Sequence, residues 1–189
     1  MASNTRERLT RAAVDRFYRD GFRNAGIDQI LDDVGISKTA FYKHFTCKDD
    51  LMLAALEMQN QWLQESFREM LREQGGRAAV DQLRALFDVV EQIIEAEGFH
   101  GCIFVNAAIE FPLPHTPVHQ LSARNKRAIF EIVYEIAERS GAAEPQLLAE
   151  ELCMIIDAAY VGRVVTSDSS TIETARRIAE RVIQSHLGS

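Results

Sequence analysis

The chain has 189 residues, 47% hydrophobic and 26% charged, enough to bury a good core in the ordinary balance of a globular protein. It contains no run of about 18 apolar residues, which excludes a transmembrane helix. Its three cysteines (Cys47, Cys102, Cys153) lie far apart, which argues against a disulfide framework and for a reducing cytoplasm.

The formal net charge of −7 speaks against general affinity for nucleic acid, but the charge is uneven. Residues 1–50 hold nine Lys/Arg against eight Asp/Glu, and the remainder hold twelve against twenty. A near-neutral head on an acidic body can still bind DNA through a local patch, because phosphate contacts depend on nearby cations. The opening MASNTRERLTR is polar and helix-forming, unlike a signal peptide. A first helix is expected from about Asn4 to Asp20, with Leu9, Ala13 and Phe17 on one face, Gly21 ending it and Phe22 folding back as an apolar plug.

The stretch Gly26–Lys48, GIDQILDDVGISKTAFYKHFTCK, reads as two short helices around a tight turn. Ile27, Ile30, Leu31 and Val34 keep helical spacing, and Gly35 follows where a helix ends most easily at positive φ. Ser37 is placed to cap the second helix, which carries Phe41 and Phe45 on one face. Tyr42 is turned about 100° from Phe41, away from the core, so it is expected to face DNA. Helix, glycine turn and helix make a helix-turn-helix, whose second helix enters the major groove with its N-terminal residues toward the bases. From 38 to 48 no acid interrupts the lysines, tyrosine and histidine.

This segment resembles the DNA-binding region of the TetR family of bacterial transcription regulators. The likeness rests on TRERLTRAAVDRFYRDGF, Ile30, the Gly35-Ile36-Ser37 turn, Phe41-Tyr42-Lys43-His44-Phe45, and Lys48-Asp49-Asp50-Leu51, and covers roughly the first quarter of the chain. The resemblance implies that Ser37, Lys38, Thr39, Ala40, Tyr42, Lys43 and His44 form the DNA-contacting surface, and that Lys48 begins a fourth helix and reaches a phosphate. The chain departs from the family at Ala25-Gly26, where hydroxyl residues usually open the first of the two helices.

Further helices are expected from Lys48 to about Gln74, from about Arg77 to Glu97, and over 102–111. The last of these is apolar on most sides and therefore buried, so its Asn106 and Glu110 need partners. Prolines 112, 114 and 117 stop it. Three more follow: Pro117–Ser140, Pro145 to about Asp168 with proline as the first helical residue, and a last one from near Thr171. No strand pattern appears. The expected architecture is all-α with about nine helices: a three-helix DNA-binding domain (1–47) and a larger effector-binding and dimerisation domain (48–189).

The last two helices are apolar over more of their circumference than one contact needs, which points to a dimer interface through Leu152, Ile156, Tyr160, Ile172, Ala175, Ala179, Val182 and Ile183. A dimer presents two recognition helices to two half-sites. The resemblance likewise implies a four-helix dimer bundle there and an effector pocket in the helices before it. Pocket candidates are Trp62, Phe87, Cys102, Phe104, Asn106, Phe111, Tyr134 and Tyr160, a mostly apolar set with a few polar groups, suited to a lipophilic small molecule. Cys102, at a helix N-terminus, is also a candidate electrophile-sensing thiol.

No metal or cofactor is expected: prolines interrupt the pairing of His115 with His119, and no second cysteine stands near Cys102. No nucleophile–base pairing, phosphate loop or carboxylate pair stands out, so no enzyme is expected. The function expected is a cytoplasmic, dimeric, ligand-responsive DNA-binding regulator, a repressor of a palindromic operator with no membrane partner. The rivals are a helical ligand carrier or enzyme, or a protein-interaction module, with a chance hairpin of this form.

Overall fold

Nine helices and no strand make up the described residues, 5–188, of the computed structural model. They are α1 (Thr5–Asp20), α2 (Ile27–Val34), α3 (Lys38–Phe41), α4 (Lys48–Gly75), α5 (Ala79–Ile94), α6 (Ile103–Glu110), α7 (Pro117–Arg139), α8 (Pro145–Thr166) and α9 (Ser170–Leu187). Asn4, the expected start of the first helix, lies outside the described residues. Among these residues no helix is long and apolar enough to cross a membrane.

Most ends fall where the sequence signals put them, and two differ. The second helix of the helix-turn-helix is only four residues long, because its ladder tightens: Lys43 N and His44 N donate to the carbonyls three residues back (3.3 and 2.8 Å). The helix expected over 77–97 shrinks to 79–94, ending in turns in which Ala96 N donates to Ile93 O and Phe99 N to Ala96 O. Between α8 and α9, Asp168 accepts from the Ser170 N–H and hydroxyl, which starts α9 at Ser170.

The chain forms two compact units. One runs up to Trp62 and adds Cys102–Asn125; the other joins Leu63–Gly101 to Lys126 onward. The division falls inside α4 and inside α7. In the first unit Leu9, Phe17, Phe22, Ile30, Phe41 and Leu51 are fully buried, and Phe104 of α6 joins this unit equally buried. Asn125 donates its amide to the Asn60 side chain at 3.0 Å, so two buried amides satisfy each other.

The second unit has one core, built from α5, α8 and α9 with parts of α4 and α7. Leu83, Val90, Leu148 and Leu152 are fully closed off there. Helices α8 and α9 approach so closely that a Cβ on Gly162 would lie 2.6 Å from Thr171 Cγ2, so a side chain there would force Thr171 to shift. Ion pairs flank this core: Arg176 with Asp88 and Glu91 of α5, and Lys126 with Asp157.

Candidate nucleic-acid interface

The recognition segment stands on aromatic rings. Helix α2 buries Ile30, Leu31 and Val34, and Gly35 closes it in the left-handed region (φ +72°), its N–H reaching Leu31 O at 2.8 Å. Arg8 of α1 donates to Val34 O at 2.7 Å, so the first helix caps the second. The Ser37 hydroxyl then accepts from Ala40 N at 3.2 Å and starts α3. Phe41 and Phe45 are buried and stacked, 5.8 Å between centroids, with the Arg6 guanidinium 4.9 Å from the Phe45 ring.

That platform turns the other side of the segment outward. Lys38, Thr39 and Lys43 are exposed, Ala40 and His44 half-buried, and Tyr42 is 59% exposed, packed edge-on against Phe41. The structure thus brings Ser37, Lys38, Thr39, Ala40, Tyr42, Lys43 and His44 together on one short segment. The Lys38 ammonium is already paired with Asp28 of α2 at 2.9 Å, which raises its pKa. At Ala25-Gly26 no side chain caps the N-terminus of α2; instead Gln29 Oε1 reaches back to accept from Gly26 N at 2.9 Å, and Ala25 is fully buried.

Lys48 begins α4 and is half-buried, with its ammonium donating to Arg23 O at 3.0 Å. Burial lowers its pKa, the nearby Asp49 and Glu110 charges pulling the other way. It therefore fixes the loop between α1 and α2 as well as starting α4. Thr46 and Asp50 reinforce that start, the carboxylate accepting from Thr46 N (3.0 Å) and its hydroxyl (2.8 Å).

Glu110, at the end of α6, is a residue that motif reading missed as part of this site. Its carboxylate accepts from Phe22 N at 2.9 Å and Arg23 N at 2.7 Å. In return the Arg23 guanidinium donates to Glu110 O at 2.7 and 3.1 Å and lies 5.3 Å from the Phe111 ring. The signal was present, since one acid in an otherwise apolar helix demands partners, but nothing in the spacing names residues 87 and 88 positions away.

The effector candidates are divided between the two units. Trp62, Cys102, Phe104, Asn106 and Phe111 belong to the first, and Phe87, Tyr134 and Tyr160 to the second. Phe104 and Phe87 are closed core residues, and Trp62 is 57% exposed. Cys102, Asn106, Phe111, Tyr134 and Tyr160 are half-buried. Tyr134 stacks on Phe130 and donates to Glu138 at 3.2 Å, and Tyr160 packs edge-on to Phe99. Two surface hollows of about 410 and 450 Å³ occur, one flanked by Arg6, Asp50, Glu57 and Arg124, the other by Glu95, Phe99 and Arg163. None of the eight candidates lines either.

Six of the eight dimer candidates pack into the chain's own core. Leu152, Ile156, Ile172, Ala175, Ala179 and Ile183 are buried in the second unit's own core; only Tyr160 and Val182 keep partial exposure. The stripe expected to meet another chain is the one that joins α8 and α9 to α5. Exposed large apolar side chains on these helices are instead Leu147, Met154, Val161, Val164 and Val165 of α8 and Ile178 of α9, with Met154 and Val165 about three-quarters exposed (74% and 75%).

Similarity to known proteins extends along the whole chain. Residues 9–55 match the model of bacterial regulatory proteins of the tetR family, and residues 79–179 match the tetracyclin repressor-like C-terminal domain. The HTH-type transcriptional regulator YjdC of Escherichia coli (strain K12) is 20% identical over 179 residues, 95% of this chain and 93% of its own length. The HTH-type transcriptional activator FasR of Mycolicibacterium smegmatis is 32% identical over 133 residues, 68% of this chain and 58% of its own. The crystal structure of a TetR-family transcriptional regulator from Streptomyces coelicolor superposes with a TM-score of 0.89 at 28% identity, covering 97% of this chain and 96% of that one. With its helix-turn-helix and its C-terminal helical domain both matched, the chain belongs to the TetR family of DNA-binding transcriptional regulators.

Proposed function

We propose that the protein is a dimeric repressor in the cytoplasm that binds a palindromic operator and is released from it by a lipophilic small molecule. The observation that carries the reading is the recognition segment: an acid-free outward surface from Lys38 to His44, held on the buried Phe41–Phe45 pair and followed directly by α4. Lys38, Thr39 and Ala40, at the N-terminal end of α3, are placed for base edges. Tyr42, Lys43, His44 and Lys48 are assigned to phosphates. Residues 1–47 act as the DNA-binding domain and 48–189 as the effector-binding and dimerisation domain; no catalytic step is assigned.

The dimer forms through the exposed faces of α8 and α9, with Met154, Val161, Val165 and Ile178 at its centre, because these apolar side chains lack cover within the chain. The effector is taken by the half-buried set of the first unit, Cys102, Asn106 and Phe111. Ligand acts by population shift: it favours an arrangement in which two recognition segments no longer match two half-sites, and DNA must weaken ligand by the same factor. Glu110 is the handle, since it ties α6, which carries Phe104 and Asn106 and is flanked by Cys102 and Phe111, to the loop at Phe22 and Arg23.

Footprinting on the DNA flanking its own gene, with and without candidate lipophilic compounds, tests the reading. A symmetric footprint that compound removes is expected, and no protection on any duplex overturns it. In-vitro transcription on the same DNA reads the sign, for which FasR, named an activator, supplies the contrary case.

A further inference from the structure

Lys38 opens the recognition helix, yet it does not point alone into the space where DNA would lie. Its ammonium sits between both carboxylate oxygens of Asp28, at 2.9 Å from Oδ1 and 3.1 Å from Oδ2. Asp28 belongs to the first turn of α2, and both side chains are about two-thirds exposed (68% and 64%). An exposed pair of this kind contributes little to stability, so a stabilising role does not account for it.

The placement is unusual for a surface expected to approach polyanionic DNA. From 38 to 48 the chain carries no acid, and Asp28 brings one back from the neighbouring helix against the leading lysine. Facing a phosphate, Lys38 must give up a bidentate partner of like charge to the phosphate, so a backbone contact gains only the difference. Facing a guanine edge, Lys38 can keep Asp28 beside it, because the ammonium has three donors and O6 and N7 carry no formal charge.

Resting on the assignment of α3 to DNA, we infer that Asp28 is a positioning residue for specificity: it holds Lys38 away from phosphates, suppresses non-specific binding, and reserves the lysine for a base edge. Each phosphate contact steepens the salt dependence of affinity by about 0.9 in the log–log slope. A lysine released from Asp28 gains such a contact on any sequence, and one held by Asp28 does not.

The test is a double-mutant cycle on the full-length protein with Asp28→Asn, Lys38→Met and both together, each checked for wild-type helicity by circular dichroism. The probes are a random-sequence 30-base-pair duplex and a duplex selected by the wild-type protein from a random pool, each titrated at several salt concentrations. Asp28→Asn is expected to tighten binding to the random duplex about fivefold and to steepen its slope by about 0.9 per recognition segment. It is also expected to narrow the ratio between selected and random duplex. In the Lys38→Met background the same Asp28 change is expected to do almost nothing.

An equal gain from Asp28→Asn in both backgrounds overturns the inference, since it shows general repulsion of phosphates by the acid rather than control of Lys38. Unchanged slope and affinity for Asp28→Asn overturn it as well. If Lys38→Met alone leaves both duplexes bound as tightly as before, the assignment of α3 to DNA fails, and this inference fails with it; a weakening by Lys38→Met with an inert Asp28→Asn sinks the inference alone.

Discussion

Around Tyr42 the outward surface is polar and the rings beneath it are closed in, while α8 exposes Leu147, Met154, Val161, Val164 and Val165. Phe41 and Tyr42 are neighbours with opposite fates, one fully buried and one 59% exposed. Leu152 and Met154 are two apart on α8 with a similar contrast, 0% against 74%. The recognition segment has one face that can be buried, so its orientation follows from the positions of two phenylalanines. Helix α8 has two apolar faces, and residue type does not say which of them meets the chain's own core.

The largest effect is expected from separating those two faces of α8. Leu152→Ala removes a fully buried side chain and should cost about 2–5 kcal/mol in urea unfolding, with the folded fraction still self-associating. Met154→Glu combined with Val161→Glu should leave the helical signal intact and yield a monomer in analytical ultracentrifugation, because two charges then face each other's copies across the proposed interface. A dimer that survives the double glutamate change removes that face from the proposal.

The head allows the same separation with a different readout. Phe41→Ala should cost about 3–5 kcal/mol and abolish DNA binding through loss of the fold, since the ring is fully buried against Phe45. Tyr42→Phe should leave the melting temperature unchanged and weaken DNA binding about fivefold, the worth of about 1 kcal/mol for one lost hydroxyl contact. Equal loss of stability in both variants would mean that Tyr42 is a core residue after all.

Much of this was legible in the sequence because its signals are local. Gly35, Ser37 and Pro145 mark helix ends through backbone chemistry that needs no tertiary context, and all three stand where expected. Heptad-like apolar stripes gave the helices but not their sides, so Ile172, Ala175 and Ala179 were assigned to a partner although they pack into the second unit's core. Length of the recognition helix was overestimated because nothing in KTAFYKHF distinguishes a continuing α-ladder from one that tightens to three-residue bonds after Phe41. Long-range polar partners were the least legible: the need of Glu110 for donors was readable, and their identity as Phe22 N and Arg23 N was not.

Glu110→Gln keeps the size and loses the charge and one acceptor, leaving Phe22 N or Arg23 N less well satisfied. It should cost about 1–3 kcal/mol in thermal or urea unfolding. If Glu110 also links α6 to the head, the variant should bind operator with near-normal affinity yet release it less on adding ligand. Wild-type release at full ligand occupancy would confine Glu110 to stability.

The smallest effect separates the first unit's ion pairs from its aromatic platform. Asp33 and Asp20 both accept from Arg16; that hydrogen bond holds the Asp33 carboxyl below the usual carboxylate range, and the Asp20 carboxyl is lowered first by its hydrogen bond from Arg19 and then by the one from Arg16. A folded pKa below the unfolded one gives stability that is complete above the unfolded value, about 3.9 for aspartate, and is lost as pH falls through the folded value. The melting temperature should therefore be flat from neutral pH to about pH 5 and decline below that. Asp33→Asn should flatten the decline by lowering the neutral-pH value toward the acid one, a small change because the pair is partly exposed and screened by solvent. Phe41→Ala, by contrast, should lower the melting temperature at every pH alike, since a buried ring has no proton to lose.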